Sequence, residues 1–120
     1  MAGVSYADVQ RMVAEMPGAE EVFVPEWGHP TFRVRGKMFA GGSPESPTIS
    51  VKASKEEQAS LIAERPESFA VAPYVGRYGW VDVTLSTVDA DELRELIIEA
   101  WRRTAPKRLV AAYDASASTR

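Results

Sequence analysis

The sequence contains no cysteine and a single histidine, and these two shortages exclude several kinds of site. Without cysteine the chain has no disulfide, no thiolate metal ligand and no thiol nucleophile. One histidine, His29, supplies neither the spacing of a metal site nor a set of nucleophile, base and orienting group. The sequence therefore predicts no catalytic residues, no metal site and no cofactor, and we expect a protein that is not an enzyme.

Long apolar segments are also missing from the chain. No stretch approaches the roughly 20 apolar residues of a membrane-spanning helix. The N-terminus lacks a basic segment followed by an apolar run, which is the pattern of a secretory signal. Together with the absence of cysteine, this indicates a cytoplasmic protein with no membrane partner.

Positive charge is scarce overall but unevenly distributed. Fourteen Lys and Arg against 17 Asp and Glu give a net charge of −3 and a pI of about 5.2, which argues against strong nonspecific binding to nucleic acid. Residues 25–55 nevertheless carry five basic residues against two acidic ones, and residues 101–120 carry five against one. The chain can therefore present a modest basic surface.

The periodicity of the apolar residues predicts one domain with three helices and six short strands. Ser5, Ser54 and Asp89 each stand three residues before an acidic residue, the spacing of a helix N-cap. The order α-β-β-β-β-α-β-β-α predicts an α+β fold in which an antiparallel meander sheet has its helices packed on one face. We expect this domain to span residues 1–113 and residues 114–120 to form a disordered tail.

The segment from Trp27 to Ala40 is the most informative, because it places basic residues on a predicted β-hairpin. Alternation over residues 31–35 sends Phe32 and Val34 inward and the intervening side chains outward. The same reasoning, applied to every strand, leaves one sheet face to Arg33, Arg35, Ser50, Lys52, Trp80 and Asp82.

Four sequence blocks resemble the MmcQ/YjbR family over most of the chain, from about Tyr6 to Leu109. They read HPTFRVRGKMFA, ISVKAS, APYVGRYGWVDVTL and, after the last predicted helix, APKRL. The resemblance implies a CyaY-like, or frataxin-like, α+β fold. Family members are commonly described as DNA-binding, and some occur near antibiotic biosynthesis and resistance functions. The family brings no catalytic residues to assign here.

The first functional hypothesis is DNA binding through the open sheet face. Basic groups would contact phosphates and an indole would stack on an exposed base. We expect such binding to be weak and sensitive to salt, by a monomer or a weak dimer. The candidate residues are Arg33, Arg35, Lys37, Lys52, Arg77, Trp80 and Lys107. The alternative for this face is simple solvation, with Asp82 paired to Arg33 or Arg35.

A second hypothesis is a module that binds or sequesters a small planar ligand. Its pocket would be formed by Trp27, His29, Tyr74 and Trp80. A third is a protein-interaction adaptor with an exposed aromatic patch. His29 also has a structural interpretation, in which its ring is hydrogen-bonded to the turn before the strand. The glycines of the segment PYVGRYGW are more typical of a tight turn than of a phosphate loop.

Overall fold

The structure, a computed structural model, describes residues 3–118, which form one antiparallel sheet with helices packed against one face. The helices are α1 (Tyr6–Ala14), α2 (Lys55–Glu64), α3 (Ala90–Thr104) and α4 (Lys107–Ser118). The strands are β1 (Ala19–Val24), β2 (His29–Val34), β3 (Lys37–Gly42), β4 (Thr48–Val51), β5 (Phe69–Val71) and β6 (Val81–Thr84). The sheet order is β1-β2-β3-β4-β6-β5. The predicted α+β class and element order are confirmed, with α4 added at the end.

Three helices begin where the sequence predicts. The side chain of Ser5 accepts a hydrogen bond from the Asp8 amide, and the Asp8 carboxylate accepts one from the Ser5 amide. Ser54 and Asp89 accept from the amides three residues later in α2 and α3. Each cap satisfies an amide that has no partner within the helix, which fixes where the helix starts.

Strand register divides the sheet into a core face and an open face. Ile49 pairs with Val83, and Val51 with Val81, and all four side chains are buried beneath the helices. Because successive side chains alternate, Ser50 and its partner Asp82 lie on the opposite face. The core is one cluster between the helices and the first of these faces.

Trp101 anchors the helical layer. Its side chain is fully buried, and its indole Nε1 donates to the carbonyl oxygen of Pro17 at 3.0 Å. The ring packs edge-on against Tyr113 of α4, with centroids 5.4 Å apart. On α1, the hydroxyl of Tyr6 donates to Glu21 Oε2 at 2.7 Å, and burial raises the pKa of this tyrosine well above its usual value. These contacts join α4 to α3, α3 to the loop that precedes β1, and α1 to β1.

The turn between β2 and β3 corrects the predicted strand boundary. Arg35 (φ 53°) and Gly36 (φ 79°) both have left-handed backbone, as a two-residue hairpin turn requires. β2 therefore ends at Val34. The prediction that Arg35 lies on the strand and faces outward from the sheet was wrong, because this residue forms the turn itself.

The C-terminal segment also differs from the prediction of a disordered tail from residue 114. α4 continues to Ser118, and both carboxylate oxygens of Asp114 accept hydrogen bonds from Arg102 of α3, at 2.5 and 3.0 Å. This paired contact holds α4 to α3 beyond residue 113. Residues 119 and 120 lie outside the described part of the chain. No helix within residues 3–118 has the length and apolar character to cross a bilayer.

Gly79 allows a close approach that positions the start of β6. Its φ of +103° is in the left-handed region, and a Cβ there would lie 2.6 Å from the carbonyl oxygen of Ala53. The amide of Gln58 braces the same segment by donating to the carbonyls of Gly76 (2.7 Å) and Trp80 (2.8 Å). The tight turn predicted from the glycines is confirmed.

Substitution of Gly79 with alanine should therefore destabilise the fold for two reasons. The left-handed backbone is strained for alanine, and the added Cβ clashes with the Ala53 carbonyl. We expect Gly79→Ala to lower the free energy of unfolding by about 3 kcal/mol or more. Gly36→Ala is the matched control, because Gly36 has a similar φ but open space around its Cα, and it should cost only about 1 kcal/mol. Urea unfolding followed by circular dichroism measures both. Equal destabilisation by the two variants would show that the close contact with the Ala53 carbonyl adds nothing to the cost of the substitution at Gly79.

Candidate functional site

A cleft of about 650 Å³ lies on the open face of the sheet. We call it the aromatic cleft. Three separate parts of the chain form its walls: the β1–β2 turn, the loop between β3 and β4, and the segment before β6. Wall and floor residues include all four members of the predicted ligand pocket, Trp27, His29, Tyr74 and Trp80.

The floor of the cleft is a row of short side chains that runs across three strands. Gly41 of β3 pairs with Ser50 of β4, and Ser50 pairs with Asp82 of β6. Adjacent strands lie about 4.8 Å apart, so Gly41 and Asp82 are roughly 10 Å apart across the floor. Because glycine and serine project little above the sheet, the floor is flat and open enough to receive a ring.

Aromatic side chains stand at both ends of this floor. The Trp27 and His29 rings, with centroids 6.0 Å apart, lie beside β2. Trp80 and Tyr74 lie at the opposite end, where Trp80 is only 7% exposed and Tyr74 is 97% exposed. Tyr74 adopts a positive φ of 66°, which non-glycine residues seldom do. This end therefore combines one buried ring with one exposed ring.

Asp82 is the acidic group of the cleft. Ser50 Oγ lies 3.4 Å from its Oδ1. Burial raises the pKa of the Asp82 carboxyl, and hydrogen bonding from the Thr48 and Ser50 side chains opposes that rise. The predicted pairing of Asp82 with an arginine was wrong. Arg33 instead donates to Thr31 Oγ1 (2.9 Å) and to the carbonyl of Gly36 (3.0 Å).

His29 has a defined hydrogen bond within the strand. Its Nδ1 lies 2.9 Å from the carbonyl oxygen of Pro30. A carbonyl oxygen only accepts, so Nδ1 carries the hydrogen and the neutral ring has Nε2 as its acceptor. The ring thus makes a backbone contact of the kind predicted for a structural histidine, and it also lines the cleft.

The basic residues of the DNA hypothesis lie mainly at one end of the sheet, and the aromatic cleft itself contains none of them. Strand register places the β2–β3 turn, the end of β4 and the start of β6 at this end. We call this surface the basic end; its residues are Arg33, Arg35, Lys37, Lys52, Arg77 and Lys107. Trp80, the remaining member of that hypothesis, lies in the cleft.

Two of these basic residues depart from the predicted open face. Lys52 Nζ reaches Thr104 Oγ1, at 3.4 Å, and so extends toward the end of α3, because Lys52 follows the last residue of β4. Arg77 lies in the short 3-10 turn Gly76–Tyr78, where its guanidinium carbon is 4.9 Å from the ring centroid of Tyr78. Neither belongs to a continuous basic face on the sheet.

The acidic residues at the end of α1 and in β1 have partners of their own. Glu21 accepts hydrogen bonds from Tyr6 and Gln10, and Glu15 pairs with Arg94 at 2.5 Å. Within residues 3–118, no three histidine or carboxylate side chains come together in an arrangement that could hold a metal ion.

Sequence reasoning missed several residues of the cleft. It leaves Met38 and Gly41 out of the predicted pocket and considers Asp82 only as a possible ion-pair partner of an arginine. Alternation had placed Ser50 and Asp82 on the open face, since both fall between apolar residues of their strands. The strand register was needed to add Gly41 to the same row.

Comparison with known proteins identifies relatives over most of the chain. A model of the YjbR family matches residues 14–103. The chain is 31% identical over 127 residues to uncharacterized proteins of Mycobacterium tuberculosis and Mycobacterium bovis, covering 91% of this chain and 95% of each relative. It is also similar to the crystal structure of a Deinococcus radiodurans protein of domain family DUF419. That match has a TM-score of 0.74 and 26% identity, and it covers 81% of this chain and 75% of the other.

The raised pKa of Asp82 predicts that its charge costs stability at neutral pH. Asp82→Asn should raise the free energy of unfolding at pH 7, because asparagine accepts the same hydrogen bonds without a buried charge. The gain should vanish as pH falls from the raised native pKa to the ordinary aspartate value of about 4, since aspartate is then protonated in both folded and unfolded states. Urea unfolding at several pH values tests this. Asp91→Asn, at an exposed position in the first turn of α3, should give no such gain.

Proposed function

The chain belongs to the YjbR family, and we propose that it is a binding protein, not an enzyme, which holds a small planar ligand in the aromatic cleft. One observation carries the proposal. Trp27, His29, Tyr74 and Trp80 come from separate stretches of sequence and line the same concave site. Rings brought together from distant segments around a set of hydrogen-bonding side chains are typical of small-molecule sites.

The dimensions of the cleft support a planar ligand of moderate size. Its volume, about 650 Å³, falls within the range of roughly 300–1,000 Å³ usual for such sites. The flat floor at Gly41 and Ser50 leaves room for a ring lying parallel to the sheet. The hydroxyls of Ser43, Ser46 and Thr48 supply hydrogen-bonding groups along one side.

The polar contacts in the cleft support binding over catalysis. Ser50 donates to Asp82, but a serine nucleophile requires a base that removes its proton, usually histidine. The basic nitrogen of the His29 ring is Nε2, because Nδ1 donates to the Pro30 carbonyl, and within residues 3–118 no serine hydroxyl is hydrogen-bonded to this ring. The described groups are therefore arranged as hydrogen-bonding partners for a ligand.

Filling the cleft should abolish ligand binding without disturbing the fold. In Gly41→Val the added side chain would occupy the floor, and the site is not strained, because a Cβ at Gly41 meets only ordinary contacts beyond 3.6 Å. A set of planar aromatic compounds can be screened by ¹H–¹⁵N NMR. The indole signals of Trp27 and Trp80 should shift, while that of Trp101, fully buried in the core on the other side of the sheet, should not.

We expect Gly41→Val to lower the affinity of each compound that binds the wild-type protein by at least about tenfold. Thr84→Val is the matched control, because Thr84 lies on the open face but outside the cleft. Shifts at Trp27 and Trp80 that persist in Gly41→Val would contradict the assignment of the site. A screen without any binding compound would contradict the proposed function.

DNA binding is a second candidate function. The grouping of basic residues at one end of the sheet favours it. Arg35 and Lys37 project at the β2–β3 turn, and Lys52 extends toward the α3–α4 corner that precedes Lys107. These side chains come from separate places in the sequence. Phosphate contacts depend on such local charge more than on the net charge of the chain.

Titration with short single- and double-stranded DNA at low and moderate salt tests this function. Tryptophan emission should change in a saturable way. Arg35→Ala/Lys37→Ala should weaken binding and flatten its dependence on salt, by about one unit of slope for each phosphate that is no longer neutralised. Arg65→Ala is the control, since Arg65 pairs with Glu92 at the other end of the sheet. If tryptophan emission does not change on addition of DNA even at low salt, nucleic acid is excluded as a partner.

A further inference from the structure

The formal charge of the aromatic cleft indicates what kind of ligand it accepts. Among the described residues that line the cleft, Asp82 alone carries a formal charge at neutral pH when His29 is neutral. No lysine or arginine within residues 3–118 pairs with it. An anionic ligand would meet an uncompensated carboxylate there, whereas a cation would find its counter-charge.

Asp82 also has acceptor capacity to spare. An ionised carboxylate offers about four lone-pair positions, and among the described residues one hydrogen bond, from Ser50, is resolved on it. This contact, at 3.4 Å, is long for a hydrogen bond between oxygens. A ligand N–H group could therefore bind this carboxylate without displacing Ser50.

His29, the second polar group that could contact a ligand in the cleft, is also suited to a ligand with N–H donors. Because Nδ1 of His29 donates to Pro30, its other ring nitrogen, Nε2, is an acceptor in the neutral ring. The cleft thus presents acceptors from two sides, Asp82 on β6 and His29 on β2. A complementary ligand would present N–H donors to one or both.

The aromatic walls favour a positive charge as well. The faces of tryptophan and tyrosine rings attract cations that lie within about 6 Å of the ring centroid. The guanidinium carbon of Arg33 lies 6.0 Å from the Trp27 ring centroid, at the limit of this range, so the Trp27 ring already has one cationic neighbour. At the other end of the cleft, Tyr74 is exposed and offers its ring, whereas Trp80 is only 7% exposed.

We propose that the ligand is a flat nitrogenous cation, such as an amidine, a guanidine or a protonated amino-heterocycle, bound through an N–H group to Asp82. Its ring would lie over Gly41 and Ser50, between the aromatic walls. This inference rests on the proposed function and adds the charge and the hydrogen-bonding pattern of the ligand.

Three compounds of one shape test the inference: 2-naphthamidine, which is cationic, 2-naphthamide, which is neutral, and 2-naphthoate, which is anionic. Their dissociation constants can be measured from the amide and indole shifts in ¹H–¹⁵N NMR spectra of the full chain. We expect the amidine to bind at least about tenfold more tightly than the other two, as a charge-assisted hydrogen bond implies. Asp82→Asn should remove about tenfold of the amidine's affinity and a smaller part of the amide's, because asparagine still accepts an N–H hydrogen bond but no longer carries the charge.

The outcomes separate the two proposals. If the amide or the carboxylate binds the cleft as tightly as the amidine, the cationic ligand is overturned and the binding function stands. If none of the three compounds shifts the Trp27 or Trp80 signals, both proposals fail. The order of the three dissociation constants is measured on the wild-type chain. The inference is therefore tested even if Asp82→Asn folds poorly.

Discussion

The burial of one sheet face beneath the helices determines what the other face can be. Val51 and Val81 must point toward the helices to complete the core, and alternation then places Ser50 and Asp82 on the open side. A register slip of one residue would bury the carboxylate and expose the valines, at a cost that the domain could not sustain. The core and the floor of the aromatic cleft are thus two results of a single strand register.

The same antiparallel arrangement separates charge along the strands. Turns that lie far apart in the sequence meet at one end of the sheet, and this brings Arg35, Lys52 and Arg77 to the basic end. The opposite end holds acidic residues at the start of α3, including Asp89 and Glu92. A net charge of −3 averages over both ends and therefore says little about either surface.

Local patterns in the sequence were enough for most of the fold. N-cap residues such as Ser5 and Asp89 predicted where helices begin, because capping depends on neighbours three residues away. Arg35 was misplaced because the left-handed backbone of a hairpin turn depends on how the two strands pair, which one residue does not reveal. α4 was not predicted for a related reason, since its residue Asp114 is held by Arg102 of another helix. The four aromatic and histidine residues of the cleft could be grouped from the sequence, but Asp82 could not be given its role without the register.

Asp82 is the residue whose chemistry the fold leaves unexplained. Burial raises the pKa of its carboxyl and so disfavours the ionised form in the folded protein, and asparagine would accept the hydrogen bond from Ser50 without that penalty. Stability therefore gives no reason for a carboxylate at this position. Charged groups held at a cost are typical of functional sites, where a ligand supplies the missing interaction. In this cleft, the interaction that would compensate Asp82 is a cation, and the surrounding rings are suited to hold one.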